Sequence, residues 1–69
     1  MLEKIVLING SLYEYDGSLS AHSLLTYLGF NTGLIIIDYN GCILPKEQWG
    51  QVLIKNKDQI EIITLAGGG

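Results

Sequence analysis

Two Asn-Gly dipeptides constrain the fold of this chain more than any other feature of its sequence. Asn9-Gly10 and Asn40-Gly41 each stand between two segments rich in apolar residues. Both residue types tolerate positive φ, and the dipeptide is the strongest short-range signal for a two-residue hairpin turn. The sequence therefore predicts two β-hairpins, with strands at residues 2–8 and 11–15 and at residues 34–39 and 42–44.

Unbroken apolar runs at 5–8 and 34–37 predict that the first strand of each hairpin is buried on both faces of a sheet. A helix is predicted between the hairpins. Ser20 is its expected N-cap, and Gly29 is placed to end it. The apolar residues between them recur at helical spacing and form one stripe, namely Ala21, Leu24, Leu25 and Leu28.

The segment after the second hairpin is predicted to end in one further strand of the sheet. Pro45 cannot donate to a strand ladder and favours the first position of a helix, so a helical turn is expected up to Trp49. A short extended or turn segment at 52–54, a polar turn at 56–58 and a last strand at 59–65 follow. This order predicts an α+β fold, a mixed sheet of four to five strands with one helix packed across it.

Composition excludes several classes of function. The single cysteine, Cys42, cannot form an internal disulfide, and no cluster of His, Cys and carboxylates has metal-ligand spacing. A net charge of −3 with no arginine argues against nucleic-acid binding. No stretch approaches the roughly 20 apolar residues of a membrane span, and no secretory signal is evident. We expect a soluble protein of the cytoplasm, or of the plastid stroma if organellar, with no metal and no cofactor.

The glycines at the end of the sequence allow two interpretations. Residues 66–69, Ala66-Gly67-Gly68-Gly69, form either a frayed end or a tail that is threaded into another protein, with Gly69 carrying the chemistry. Glycine has no Cβ and so permits close backbone approach in a narrow channel. Residues 1–65 are then the folded domain, and residues 66–69 are a flexible tail.

Four segments carry a resemblance: the helix start Ser20–Leu25, the Pro-Lys-x-x-Trp segment Leu44–Trp49, the strand segment Lys57–Ile63 and the glycine terminus. Together they resemble the ubiquitin-like β-grasp proteins, and among these the ThiS family of sulfur carriers within the MoaD/ThiS superfamily. The resemblance covers the whole chain. Asn56-Lys57 stands where the family usually has a glycine before the aspartate, and the tail has three glycines rather than two.

The resemblance implies a carrier that catalyses nothing itself. In that family an ATP-dependent enzyme of the ThiF type adenylates the terminal glycine, here Gly69. Sulfur from a cysteine desulfurase or a persulfide then converts it to a thiocarboxylate, which a thiazole synthase of the ThiG type uses in thiamin biosynthesis. Ala66, Gly67 and Gly68 would be threaded into the partner, and no catalytic residue is expected.

Three other residues, Trp49, Glu47 and Glu61, are candidates for a partner surface, and Asp58 is considered beside them. Trp49 is expected to be a partly buried anchor, and tryptophan is enriched at interface hot spots. Glu47 and Glu61 could meet a basic partner, as could Asp58, although ordinary solvated charge explains them equally well. His22 is expected on the helix surface, Cys42 as a small apolar filler, and the four tyrosines as surface aromatics of the sheet and helix.

Three alternative functions stay open at this point. A molybdopterin-type carrier would use the same terminus with a different receiving enzyme. A ubiquitin-like modifier would join the activated carboxylate to lysines of target proteins. A small enzyme is the least supported alternative, because the sequence offers no paired acid and base.

Overall fold

The computed structural model describes residues 4–65. It is a mixed sheet of five strands, and a helix covers one face of this sheet. The predicted tail at 66–69 lies outside the described residues. The elements are β1 (Lys4–Ile8), β2 (Ser11–Tyr15), α1 (Ala21–Tyr27), β3 (Ile35–Tyr39), β4 (Cys42–Ile43) and β5 (Asp58–Thr64), with 3₁₀ turns at Thr32–Leu34 and Lys46–Gln48.

Both predicted hairpins are confirmed, together with the backbone conformation of their turns. Asn9 and Gly10 have φ angles of 52° and 84°, and Asn40 and Gly41 have φ angles of 53° and 93°. Positive φ at both central residues gives a turn whose twist matches that of the flanking strands. Ile8 pairs with Ser11 beside the first turn, and Tyr39 pairs with Cys42 beside the second.

The last strand of the chain is the central strand of the sheet. The strand order is β2-β1-β5-β3-β4, so β5 lies between the two hairpins. It runs parallel to β1, with Val6 opposite Asp58, and antiparallel to β3, with Ile37 opposite Ile62. The sheet is therefore continuous only because β5 joins one hairpin to the other.

The helix begins and ends as predicted. The Ser23 N–H donates to the Ser20 hydroxyl at 3.0 Å, which satisfies one of the free donors of the first turn. At the other end the N–H groups of Leu28 and Phe30 bond back to carbonyls of the last turn, at 3.0 and 3.1 Å. These bonds fix both the length of α1 and the direction in which the chain leaves it.

The core lies between α1 and one face of the sheet. It contains ten buried hydrophobic residues: Val6, Ile8, Ala21, Leu24, Leu25, Ile35, Ile37, Trp49, Ile54 and Ile60. The segment at 52–54 closes one side of this core, because the Ile54 N–H donates to the Leu19 carbonyl at 2.8 Å and Leu53 forms a bridge with Ser20. The short extended segment predicted there is confirmed.

The prediction that residues 34–37 are buried on both faces is wrong. Ile35 and Ile37 are buried, but Ile36 is 37% exposed and points to the face that α1 does not cover. Leu34 is 44% exposed and belongs to the 3₁₀ turn rather than to β3. α1 covers only one face of the sheet, so the side chains of β3 alternate between core and solvent.

Trp49 is more buried than predicted. Its side chain is 1% exposed, and its indole N–H donates to the Leu44 carbonyl at 2.9 Å. The 3₁₀ turn that precedes it confirms the predicted helical turn after Pro45. The Trp49 carbonyl accepts a hydrogen bond from the His22 N–H, at 3.1 Å, so this residue ties the turn to the first turn of α1.

Within residues 4–65, no helix has the length and apolar character needed to cross a bilayer.

Candidate functional site

The strand that leads to the predicted tail pairs with β1 from Asp58 to Ile60 and with β3 from Ile60 to Thr64. Beyond the end of β5, the Leu65 N–H donates to the Leu34 carbonyl at 2.8 Å. The chain therefore enters residue 66 from a fixed position at one end of the sheet. Ala66, Gly67, Gly68 and Gly69 lie outside the described residues, and the roles predicted for them stay predictions.

A buried carboxylate anchors the other end of β5. Asp58 is 6% exposed, and its Oδ2 accepts hydrogen bonds from the Tyr39 hydroxyl and from the Lys55 N–H, the latter at 2.7 Å. Its Oδ1 accepts from Asn40 Nδ2 at 3.1 Å. Charge-assisted hydrogen bonds of this kind are about twice as strong as neutral ones. The expectation that Asp58 is a solvated charge is therefore wrong.

The protonation states of this cluster follow from its geometry. Burial raises the pKa of Asp58, but the hydrogen bonds from Tyr39, the Lys55 amide and Asn40 outweigh it and hold that pKa below its usual range. Burial, together with the hydrogen bond to Asp58 and its charge, raises the pKa of Tyr39 to about 12. At neutral pH a protonated Tyr39 thus donates to an ionised Asp58.

The asparagines of the two hairpin turns also hold β5, one from each side. Asn9 Oδ1 accepts from the Ile62 N–H at 2.7 Å, and its own N–H donates to the Ile60 carbonyl at 2.9 Å. Asn40 Oδ1 accepts from the Gln59 N–H at 2.8 Å, and its N–H donates to the Gln59 carbonyl at 2.8 Å. Each Asn-Gly turn therefore extends the ladder of its hairpin along the central strand.

The face of the sheet opposite α1 carries an apolar patch that contains two acids. We call this patch the open face. Paired residues of neighbouring strands lie on the same face, so the register places Ile36 beside Ile63 and Asp38 between Glu61 and Ile43. Ile63 and Ile43 are 49% and 59% exposed. The patch thus surrounds the part of β5 nearest to the tail.

The open face combines exposed apolar area with unfavourable charge. Asp38 and Glu61 stand directly opposite each other on neighbouring strands, and like charges in that arrangement repel. A basic group placed between them would remove that repulsion while covering the isoleucines. The arrangement is therefore suited to a partner surface that is apolar with a lysine or an arginine in it.

The structure separates the three residues predicted for a partner surface. Glu61 is exposed on β5 and belongs to the open face. Its contact with a basic partner stays a prediction. Glu47 is exposed in the 3₁₀ turn after β4, outside the sheet. The Trp49 side chain is a core residue rather than part of a surface, because only 1% of it is accessible.

For the other residues named in the sequence analysis, some predictions are confirmed and some are wrong. His22 is exposed on α1, as predicted. Cys42 is exposed rather than a core filler. Tyr15 and Tyr39 are partly buried against the core, unlike the surface aromatics that were predicted, and the Tyr15 hydroxyl donates to the Ile54 carbonyl at 3.0 Å. Among residues 4–65, no group of three or more His, Cys, Asp or Glu side chains is arranged to hold a metal.

These features define a class of protein. A mixed five-stranded sheet grasping one helix, with the central strand leading to the end of the sequence, is the β-grasp architecture. The family model of the ThiS family matches residues 6–69, and the chain belongs to that family.

The chain is also similar to individual proteins of other organisms. The chain is 41% identical over 66 residues to the uncharacterized protein ycf40 of Trieres chinensis, with 96% of this chain and 90% of the relative covered. It is 39% identical over 64 residues to the uncharacterized protein ycf40 of Porphyra purpurea, covering 93% and 90%. It is also 31% identical over 64 residues to a thiazole synthase of Paramagnetospirillum magneticum, covering 93% of this chain but 20% of that protein.

A solved structure shows the same fold. The crystal structure of the thiamine biosynthesis protein ThiS from Geobacter metallireducens superposes with a TM-score of 0.80 at 28% sequence identity. The match covers 94% of this chain and 99% of that one. The β-grasp fold predicted from the sequence is thereby confirmed.

Proposed function

We propose that this protein is a sulfur carrier of thiamin biosynthesis and that the carboxylate of Gly69 carries the sulfur. Membership of the ThiS family is the observation that carries the proposal. The described part of the chain supports it, since the strand that leads to the glycines is the central strand of the sheet and has a neighbouring strand on each side. A carrier needs such a body, which docks by its surface while the tail reaches into a partner.

The chemistry requires activation of the carboxylate, because a carboxylate is a poor electrophile. An ATP-dependent enzyme of the ThiF type forms the acyl adenylate at Gly69 and releases pyrophosphate. A persulfide sulfur supplied by a cysteine desulfurase attacks the acyl carbon and expels AMP. A second thiol then reduces the acyl disulfide, which leaves a thiocarboxylate on Gly69 and a disulfide on the donor side.

The proposed receiving enzyme is a thiazole synthase of the ThiG type. In support, segments of two thiazole synthases are similar to this chain, at 31% and 27% identity over 20% and 19% of their own lengths. A carrier-like segment inside the chain of a thiazole synthase holds the two activities at high effective concentration. The separate chain would reach the same enzyme by docking.

The proposed docking surface is the open face, with Glu61 at its centre. Ile36, Ile43 and Ile63 supply the apolar contact area, and the repelling pair Asp38 and Glu61 favours a basic partner. Glu47 remains a second proposed contact, on the turn beyond the sheet. The proposed location of the protein is the cytoplasm, or the plastid stroma if it is organellar.

Intact mass spectrometry tests the carrier function directly. Incubation with ATP, a competent ThiF-type enzyme and a sulfur donor should raise the mass by about 16 Da, the difference between oxygen and sulfur in an acyl-transfer product. Removal of Gly68 and Gly69 should abolish loading and leave the thermal unfolding unchanged. An unchanged mass of the full chain, with an activator that loads a control carrier, would refute the proposal.

A charge reversal tests the docking surface. Glu61→Lys should raise the KM for the carrier in the adenylation reaction, whereas Asp16→Lys, an equal change of charge at an exposed site away from β5, should not. Equal effects of the two substitutions would mean that only net charge matters. Transfer to a molybdopterin synthase, or a ladder of conjugates in cell extracts, would assign the carrier to another pathway or make it a modifier.

A further inference from the structure

A groove lies between α1 and β2, at the edge of the sheet. It has a volume of about 420 Å³, within the size range of binding pockets. Its lining is mostly apolar or aromatic and includes Tyr13, Tyr15, Leu24, Tyr27 and Leu28, with Glu14 and Asp16 among the remaining residues. The groove shares no residue with the open face, so it is a separate surface of the molecule.

The strand beside the groove has unused backbone groups. β2 is an edge strand, because β1 is its only neighbour in the sheet. Ile5 lies opposite Glu14, yet the Ile5 N–H donates to Asn56 Oδ1 at 2.9 Å and its carbonyl accepts from the Lys57 N–H at 2.7 Å. Both groups of Ile5 therefore point away from β2. The pair is a non-hydrogen-bonded one, and the backbone N–H and C=O of Glu14 point outward.

The same alternation applies to Leu12, two residues earlier on β2. In an antiparallel ladder every second residue directs both backbone groups to one side, so Leu12 also presents its N–H and C=O at the free edge. Within residues 4–65, neither residue takes part in a backbone bond outside the β1–β2 ladder. The edge thus offers two donors and two acceptors in the spacing of a strand.

The side chains beside this edge suit a strand-shaped ligand. Tyr13 and Tyr15 alternate with Leu12 and Glu14 along β2, so they stand on the face that looks toward α1. Tyr27 is 84% exposed and Tyr13 is 40% exposed. Every second side chain of a strand added to β2 would lie over these rings, while its backbone bonded to the edge.

Charge distinguishes between the possible occupants. Glu14 and Asp16 are both exposed, and the nearby Lys4 ammonium donates to the Gly17 carbonyl at 3.0 Å. A second copy of this chain paired through β2 would bring these acids against their own equivalents, which is unfavourable. A ligand with lysine or arginine beside its apolar residues has the complementary charge.

We propose that the groove binds an extended segment of a partner protein, with alternating apolar and basic residues, which adds to β2 as a sixth strand. This site goes beyond the proposed carrier function and does not use the tail. Val6, which lines the groove, stands opposite Asp58 at the start of β5, whereas the tail follows the far end of that strand. At about 3.3 Å per residue, Leu65, the last described residue before the tail, lies roughly 23 Å from Asp58 along the sheet. Both sites can be occupied at once.

A model peptide tests the proposal with the full-length, ¹⁵N-labelled protein. The probe is a capped decapeptide of alternating isoleucine and lysine. We expect saturable NMR shifts that are largest at the amides of Leu12 and Glu14. A peptide of the same composition and charge, N-methylated at the amides that would face β2, should bind about tenfold more weakly because two or more hydrogen bonds are lost.

Two matched pairs of variants locate the binding site. Tyr27→Ala should weaken binding several-fold, whereas His22→Ala, an exposed residue of the same helix outside the groove, should not. A second probe has glutamate in place of every lysine of the decapeptide. The double variant with Glu14→Lys and Asp16→Lys should no longer prefer the lysine peptide to this glutamate peptide, whereas Glu61→Lys should still prefer the lysine peptide. All five positions are exposed, so the fold should survive these changes.

Four outcomes would overturn the proposal. Equal binding of the N-methylated peptide would show an apolar or electrostatic contact without strand addition. Shifts centred on Ile36 and Ile63 would place the peptide on the open face. Shifts at Leu12 that depend on protein concentration without peptide would identify a second copy as the occupant. If no saturable binding is seen up to about 1 mM peptide, the level of the weakest specific contacts, the groove does not bind this class of ligand.

Discussion

Replacing Asp58 should destabilise the fold more than replacing any other acid between residues 4 and 65, because it removes the acceptor that fixes the start of β5. Three donors converge on its carboxylate, from Tyr39, Asn40 and the Lys55 amide. In Asp58→Ala all three lose their partner. Asp58→Asn keeps one carbonyl oxygen but replaces the other acceptor with an NH₂ group that cannot accept.

The expected losses can be estimated from these bonds. A hydrogen bond to a charged group contributes about 1.5–3 kcal/mol, and exposed Asn40 can turn to water when its acceptor is lost. Counting only the two donors to Oδ2, the Tyr39 hydroxyl and the Lys55 amide, Asp58→Ala should cost about 3–6 kcal/mol. Asp58→Asn should cost about 1–2 kcal/mol, since one oxygen can still accept from the Lys55 amide and Tyr39.

Urea unfolding, followed by the fluorescence of the single and buried Trp49, measures both losses. A domain of this size has only about 3–10 kcal/mol of stability, so Asp58→Asn gives a measurable transition even if the alanine variant is unfolded. Asp38→Ala is the control. It removes a single exposed bond, from the Gly41 N–H at 2.8 Å, and relieves the repulsion with Glu61.

The reasoning fails if Asp58→Asn and Asp38→Ala lose the same stability within about 0.5 kcal/mol, the range of ordinary surface substitutions. The pH dependence gives a second check. The pKa of Asp58 is lowered in the folded state, so its contribution is present above the unfolded value of about 3.9 and is lost as the pH falls below it. The difference between the wild type and Asp58→Asn should therefore shrink below about pH 4.

Three further predictions follow from the core and the helix. The pKa of Tyr39, which burial and the contact with Asp58 raise, should be about 12 in an ultraviolet absorbance titration. Because this pKa is raised, the stabilising effect of Tyr39 is complete below about pH 10 and is lost as the pH rises toward 12. Trp49→Ala should cost about 3–5 kcal/mol in thermal or urea unfolding, against less than about 0.5 kcal/mol for Gln48→Ala in the same turn. Ser20→Ala should cost about 1 kcal/mol through loss of the helix cap, and Ser20→Thr, which keeps the hydroxyl, should restore most of it in circular dichroism melts.

The elements that the sequence predicts correctly are those that depend on neighbouring residues. The Asn-Gly turns need positive φ at two adjacent positions, and the Ser20 cap bonds to a residue three positions away. Such signals can be read without knowing the rest of the fold. The run at 34–37 misled because four apolar residues in succession carry no alternation, so nothing in the sequence marks Leu34 and Ile36 as the exposed ones.

The features that the sequence does not reveal depend on long-range pairing. The donors to Asp58 come from β3, from the turn after it and from the loop before β5, and only the folded sheet brings them together. Glu61 could be predicted as a charge, but its position opposite Asp38 and beside Ile63 required the register. The role of the glycines, by contrast, is predicted from composition and from the family resemblance alone, and it stays a prediction.

The central position of β5 also determines how the protein folds. Each hairpin can form from local contacts, but their joining requires β5, which pairs with β1 across almost the whole length of the chain. Contacts so distant in sequence slow folding, since the chain must close a long loop before they form. During synthesis the sheet therefore cannot be completed until its last strand is available. A chain without a formed sheet lacks the open face. A partner that binds this face would therefore bind only folded chains.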